Sequence, residues 1–90
     1  MEKIKLEYPI ISDGKKLEAI TMRRPKVRDQ LLADKASGQD AEKEVALFAN
    51  LCELPPDAIE DLDMVDYQTI QGTYSGFLSS RQKSAAKAAS

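Results

Sequence analysis

Four basic residues lie close together before the first predicted helix: Arg23, Arg24, Lys26 and Arg28. Positive charge at a helix N-terminus opposes the helix dipole, so we do not assign the cluster to helix stability. Three interpretations stay open, namely ion pairing within the chain, an interface with an acidic protein partner, and a nucleic-acid patch. The net charge of −2 and the scarcity of aromatic residues beside the cluster disfavour nucleic acid. These four side chains are therefore candidate partner-binding residues.

Acidic residues concentrate further along the chain, where they could pair with the basic cluster or hold a cation: Asp57, Glu60, Asp61, Asp63 and Asp66. The last three have part of the spacing of a calcium loop. The glycine that makes the sharp turn of such a loop and its terminal glutamate are missing, so we expect no metal site. Asp57 and Asp63 are instead predicted to cap helix starts.

Groups that commonly catalyse reactions are scarce in this sequence. Histidine is absent, and there is no glycine-rich phosphate loop or nucleophile motif beside the carboxylates. The one cysteine, Cys52, lies in an apolar helical stretch and is predicted to be a core residue rather than a reactive thiol. The sequence therefore predicts a protein that is not an enzyme and that needs no cofactor.

An apolar stripe near the C-terminus offers a second candidate surface. Its members recur at helical spacing and are Tyr67, Ile70, Tyr74, Phe77 and the adjoining Leu78. The stripe can belong to the core, or it can be a face that receives a helical client. The two roles can also divide the helix, with the first two residues in the core. Tyr74, Phe77 and Leu78 are then exposed candidates for partner binding, since aromatic anchors are common hot spots.

The N-terminal elements that position these residues are two strands. Ile4, Leu6 and Tyr8 alternate with charged residues, which indicates a half-buried strand. Asp13-Gly14 predicts a type I′ turn, in which both central residues have positive φ. The return strand is expected over residues 16–22. Leu17 does not fit the in–out alternation of this return strand. We therefore expect either a β-bulge or a Leu17 side chain that covers the other face of the hairpin.

Helices are predicted for most of the remaining chain. Pro25 is expected in the first turn of a helix that ends near Gly38, and Asp40 is expected to cap the next. That second helix stops at Pro55-Pro56. A short helix over residues 56–62 and a last helix capped by Asp63 follow. Residues 79–90 contain no large apolar side chain and are predicted to form a disordered tail.

The predicted fold class is α+β, with an N-terminal β-hairpin packed against three to four helices. The chain has 90 residues, which is enough for one domain, and we place it at residues 1–78. No apolar run approaches the ~20 residues that span a bilayer, and no signal-peptide stretch follows Met1. With a single cysteine as well, these features predict a cytoplasmic protein without a membrane partner.

The order of these motifs resembles the small tail assembly chaperones of contractile-tailed phages, the Mu-like group. The resemblance covers residues 4–75 and depends on three segments: Asp13-Gly14-Lys15 with the strand after it, the arginine-proline segment 23–29, and the Leu-Pro-Pro and Asp-Leu-Asp motifs at 54–63 with Asp66-Tyr67. It implies a protein of the bacterial host cytoplasm, encoded by a phage or prophage. Such a protein coats the helical tape-measure protein and keeps it soluble. It implies no catalytic residue and leaves homo-oligomerisation open.

The resemblance also implies a longer form of the protein made by ribosomal frameshifting. Gly76-Phe77-Leu78 can be encoded as GGT-TTT-TTG, which contains a slippery heptamer. A tail without a core role can be replaced by another reading frame without unfolding the domain. We therefore expect a long form that shares residues 1–78 and recruits the tail tube protein.

Overall fold

The computed structural model describes residues 1–36 and 38–89, with side chains described through Ser79. A two-stranded antiparallel sheet is followed by four helices, as the predicted α+β class requires. The elements are β1 (Glu2–Ser12), β2 (Lys15–Met22), α1 (Val27–Lys35), α2 (Asp40–Cys52), α3 (Pro56–Glu60) and α4 (Met64–Ala89).

The turn of the hairpin has the predicted geometry. Asp13 has φ 52° and Gly14 has φ 75°, so both central residues lie in the left-handed region that a type I′ turn needs. Beyond the turn, Ser12 pairs with Lys15, and Ile4 pairs with Ile20 near the far end. The Asp13-Gly14 pair therefore sets the register of the strands.

An irregular stretch of β1 interrupts the pairing between Lys5 and Ile10. Lys5 pairs with Ala19 and Ile10 pairs with Leu17, so residues 6–9 lie opposite Glu18 alone. Of the two alternatives that the parity of Leu17 left open, the bulge is confirmed. Tyr8 was predicted to share the buried face with Ile4, but it is exposed because the bulge shifts the alternation.

Helix α1 begins two residues later than predicted. Pro25 precedes the N-cap residue Lys26, whereas the sequence placed the proline inside the first turn. The helix ends at Lys35, and Gly38 has φ 105°, consistent with the predicted stop.

Helix α2 is the central apolar element. It starts at Asp40 with Gln39 as its N-cap residue, so the predicted cap at Asp40 is wrong by one position. The Gln39 N–H donates to Glu42 Oε1 at 3.1 Å, which satisfies the exposed end of the helix. Glu53, with φ 55°, ends α2 just before the proline pair.

The last two helices meet at the predicted cap. Asp63 Oδ1 accepts the Val65 N–H at 2.9 Å. α3 is shorter than predicted, since it ends at Glu60. α4 runs past Leu78, where the sequence placed its end, because residues 79–89 are rich in the strong helix formers alanine, lysine, arginine and glutamine. The side chains after Ser79 lie outside the described residues, and the disordered tail stays a prediction.

The core lies between the hairpin and the helices that cover it. α2 packs on β2, while α3 and α4 pack on β1. Phe48 of α2 is at its centre, with the rings of Tyr67 and Tyr74 at 5.7 and 5.5 Å in tilted geometry. Among the described residues, no helix is long and apolar enough to cross a membrane.

Candidate partner-binding surface

Arg23, the first residue of the basic cluster, belongs to a buried polar network. Its two terminal nitrogens donate to the two carboxylate oxygens of Asp29, each at 2.8 Å. Asp29 is 1% exposed and also accepts the Lys26 N–H at 2.8 Å and the Asn50 amide at 2.6 Å. The bond from Arg23 is the largest cause that lowers the pKa of Asp29, to about 2, although burial acts in the opposite direction.

This network connects α1 to α2. Asn50 is an α2 residue, and the Arg23 N–H donates to the Leu51 carbonyl at 3.1 Å. The sequence left ion pairing within the chain open, with the acidic residues of 57–66 as partners. Arg23 does pair within the chain, but its partner is Asp29. Among the described side chains, no ion pair joins the cluster to residues 57–66.

Arg24 connects the basic cluster to the C-terminal stripe. Its guanidinium carbon lies 5.3 Å from the centroid of the Phe77 ring, within the range of a cation–π contact. Phe77 is buried and Tyr74 is half-buried against Phe48, so of the alternatives left open for the stripe the core role fits these two aromatics, and their exposure in a divided helix is wrong. Leu78 is exposed, as predicted.

Lys26 and Arg28, the remaining two basic residues, are exposed at the start of α1. With Met1, Arg23 and Arg24 they line an open depression of about 540 Å³. The four predicted basic residues are thus brought together in space, but only three present charge that is not already paired with a buried carboxylate. Their binding role stays a prediction.

The opposite side of α1 from Asp29 carries three large apolar side chains in solvent. Val27 is 78% exposed, and Leu31 and Leu32 are each 56% exposed. Helical geometry places Arg28 and Lys35 on the same side, while Asp29 and Ala33 point inward. We call the five residues Val27, Arg28, Leu31, Leu32 and Lys35 the outer face of α1. Asp34, on its flank, accepts a hydrogen bond from Gln30 at 3.1 Å.

A sequence model of the family described as "Phage tail assembly chaperone proteins, E, or 41 or 14" matches residues 3–79. The chain belongs to this family. No curated protein and no solved structure matched it. The match spans the hairpin, α1 to α3 and the start of α4, and it agrees with the resemblance noted in the sequence.

Asp66 is the second buried carboxylate of this chaperone. It accepts the Glu7 N–H at 2.8 Å and the Tyr8 N–H at 3.0 Å, so it satisfies the two amides that the bulge of β1 leaves without strand partners. Asp66 is therefore a structural residue. The described residues contain no group of three or more histidine, cysteine or acidic side chains that could hold a metal ion.

Cys52 and Tyr67 both belong to the packed interior of the chaperone. Burial raises the pKa of the Cys52 thiol to about 11, and the residue lies in the core as predicted. Tyr67 donates to Glu44 Oε1 at 2.6 Å, and Gln71 donates to the same oxygen at 2.9 Å. Burial, followed by this bond to Glu44, raises the pKa of Tyr67 above its ordinary value.

Sequence reasoning did not assign the outer face of α1 to a site, nor Asp29 to a network. The signal for the first was present, because all three large apolar residues of this nine-residue helix fall on the side of Arg28 and Lys35. The sequence held no comparable signal for the Asp29 network, since its partner Asn50 is distant along the chain.

Proposed function

We propose that this chaperone binds the tape-measure protein of its phage in the cytoplasm of the bacterial host, without catalysing any reaction. The client is a long helical protein that must stay soluble until tube subunits surround it. A chaperone for such a client needs a firm apolar surface that a helix can lie against.

The observation that carries the proposal is the outer face of α1. Three large apolar side chains stand in solvent on a helix of nine residues. Contiguous exposed apolar groups with polar neighbours are typical of protein interaction sites. The Asp29 network fixes this helix against α2, so the face is held ready and a client does not have to order it.

The predicted site residues take distinct roles in this proposal. Arg24, Lys26, Arg28 and Leu78 are exposed and extend the contact surface beside α1. Arg23 supports that surface through its ion pair with Asp29. Tyr74 supports it by packing on Phe48, and Phe77 supports it by its contact with Arg24. The basic residues favour an acidic stretch of the client, and they set its orientation more than its affinity.

Recruitment of tail tube subunits would belong to the frameshifted longer form. That form shares residues 1–78, and hence the outer face of α1, with the short chain. The long form would then join tape measure to tube while the short form only protects the tape measure. Reading the DNA across codons 76–78 and its −1 frame tests this part: a frame that stops at once after the slippery site contradicts it.

Co-expression with the tape-measure protein encoded by the same phage tests the client proposal. The wild-type chaperone should keep the tape measure soluble and co-purify with it. Leu31→Ser/Leu32→Ser should lose both properties while folding normally. Ile11→Ser, which changes an even more exposed apolar residue on the hairpin, is the control and should behave as wild type. Binding that survives the α1 variant, or that is lost equally in the control, contradicts the proposed surface.

A further inference from the structure

A second exposed apolar region lies where α3 turns into α4. Met64 is 65% exposed and Val65 is 48% exposed. Three exposed acidic residues directly precede them in the chain: Glu60, Asp61 and Asp63. We call these five residues the acidic corner. Asp63 caps α4. Glu60 and Asp61 form no ion pair among the described side chains.

The acidic corner is the chemical complement of the outer face of α1. Each surface presents large apolar side chains beside charge of one sign, basic on Arg28 and Lys35 and acidic on Glu60 and Asp61. Each surface alone leaves apolar area in water. Contact between them would bury apolar area on both sides and bring opposite charges together.

In a single chain the apolar side chains of the two surfaces do not cover each other, because those of α1 are at least 56% exposed and those of the acidic corner at least 48%. Only the end of α1 comes near the corner, where Ala36 and Glu60 line one depression. Arg24, just before α1, contacts Phe77 of α4. Val65 is more than three turns earlier in the same helix, about 18 Å along its axis. The complement of each surface must therefore come from another molecule.

We propose that the outer face of α1 of one copy docks on the acidic corner of a second copy, so that the chain associates with itself head to tail. The two contacting surfaces differ, which makes the interface heterologous. Every added copy leaves one surface of each kind free, and assembly continues beyond the dimer unless the rotation between copies closes a ring. The self-association does not depend on the identity of any client.

The size and charge of the surfaces set the expected behaviour. Each surface has only five residues, fewer than the ~20 to 30 per side of a standard stable interface, so the contact is weak and reversible. Opposite charges at an exposed interface are screened by salt, so association weakens as ionic strength rises. If the outer face of α1 also binds the client, as proposed above, then self-association covers that face until the client displaces the second copy.

Sedimentation velocity of the purified chain alone tests the proposal. Wild-type protein from about 10 µM to about 1 mM should show a weight-average mass that rises with concentration, and the rise should diminish between about 0.05 M and about 0.5 M salt. Arg28→Glu/Lys35→Glu should stay monomeric, because both of its surfaces are then acidic. Glu60→Lys/Asp61→Lys should stay monomeric, because both are then basic.

An equimolar mixture of the two variants is the decisive sample. Each variant then finds its complement on the other, so the mixture should regain a concentration-dependent mass. Lys16→Glu/Glu18→Lys, which reverses an exposed ion pair on the hairpin, is the control and should assemble as wild type. Far-UV circular dichroism verifies that all variants fold.

Three results would overturn the proposal. The first is a wild-type chain that is monomeric at every concentration in low salt. The second is wild-type association in either charge-reversed variant. The third is a mixture that stays monomeric although both variants are folded. None of these results bears on tape-measure binding, which the co-expression experiment measures separately.

Discussion

Helices α1 and α2 pack side by side, yet they bury opposite kinds of residue. α2 places five apolar or small residues in the core: Leu47, Phe48, Ala49, Leu51 and Cys52. α1 buries only Ala33 and the carboxylate of Asp29, and it leaves its large apolar residues in water.

The difference shows how a small chain can expose a large apolar surface without losing its fold. α2 is stabilised by apolar burial, at roughly 25 cal/mol per Å². α1 is held by charge-assisted hydrogen bonds from Arg23 and by the amide of Asn50, all received by Asp29. Because a polar network fixes α1, its apolar side chains remain available to a partner.

Removing the centre of the α2 core should have the largest effect on stability. Phe48→Ala deletes a fully buried ring that contacts Tyr67 and Tyr74. We expect it to lower the free energy of unfolding by about 3–5 kcal/mol, close to the whole stability of a domain this small. Urea denaturation checks this, and a loss below about 1 kcal/mol would show that α2 is not the main apolar element.

Breaking the Asp29 network should cost less, but it should affect α1 specifically. Asp29→Asn keeps the shape of the side chain and removes the negative charge to which Arg23 and Asn50 donate hydrogen bonds. We expect a loss of about 2 kcal/mol near pH 7. Asp34→Asn, on the exposed flank of the same helix, is the control and should change stability by less than about 0.5 kcal/mol.

The pH dependence of stability gives a second test of the Asp29 network. The pKa of Asp29 is about 2 in the folded chain, below its ordinary value of 3.8. A lowered folded pKa gives stability that is fully present above the unfolded pKa and is lost as pH falls through the folded pKa. Wild-type protein should therefore approach the Asp29→Asn variant in stability between about pH 4 and about pH 2. A constant difference across that range would contradict the assignment.

A backbone change in the hairpin should lower the stability of the whole domain, with no specific effect on α1 or α2. Gly14→Val forces a β-branched residue to φ 75°, where nothing crowds its Cβ but the backbone itself is strained. We expect a loss of about 1 kcal/mol or more, measured as a lower thermal midpoint. Gly72→Ala, on α4 with open space around the new Cβ, is the comparison and should be neutral or stabilising. An unchanged midpoint for Gly14→Val would contradict the type I′ turn.

Changes on the outer face of α1 should have the smallest effect on stability. Leu31 is already more than half exposed, so Leu31→Ser removes little buried area, and we expect a loss within about 0.5 kcal/mol. Leu51→Ser, which changes a fully buried residue of α2, should instead cost several-fold more. Equal losses for the two variants in chemical denaturation would mean that α1 also depends on apolar burial.

Local chemistry made much of the fold predictable. Asp13-Gly14 specified its turn because few other pairs tolerate two positive φ angles, and Pro55-Pro56 and Asp63 marked helix boundaries by fixed backbone rules. The family resemblance was confirmed as well. These features all depend on residues that are close in sequence.

The candidate site was less predictable because its determinants are distant in sequence. Helical spacing put Val27 and Leu31 on one face, but it could not say whether that face meets the core or water. The answer depends on the hydrogen bond between Asp29 and Asn50. The exposure of Tyr8 likewise depends on the hydrogen bonds between Asp66 and the bulge of β1. The sequence left open whether Phe77 is buried or exposed, because nothing local revealed Arg24 above its ring.

Native-state amide hydrogen exchange of the wild type and of Asp29→Asn tests most directly whether polar bonds hold α1 in place. Asp29→Asn should accelerate exchange in α1, at residues 27–35, while the core amides of α2 keep most of their protection. Equal acceleration in both helices, or unchanged exchange in α1, would contradict the claim that the Asp29 network fixes the helix that carries the exposed apolar face.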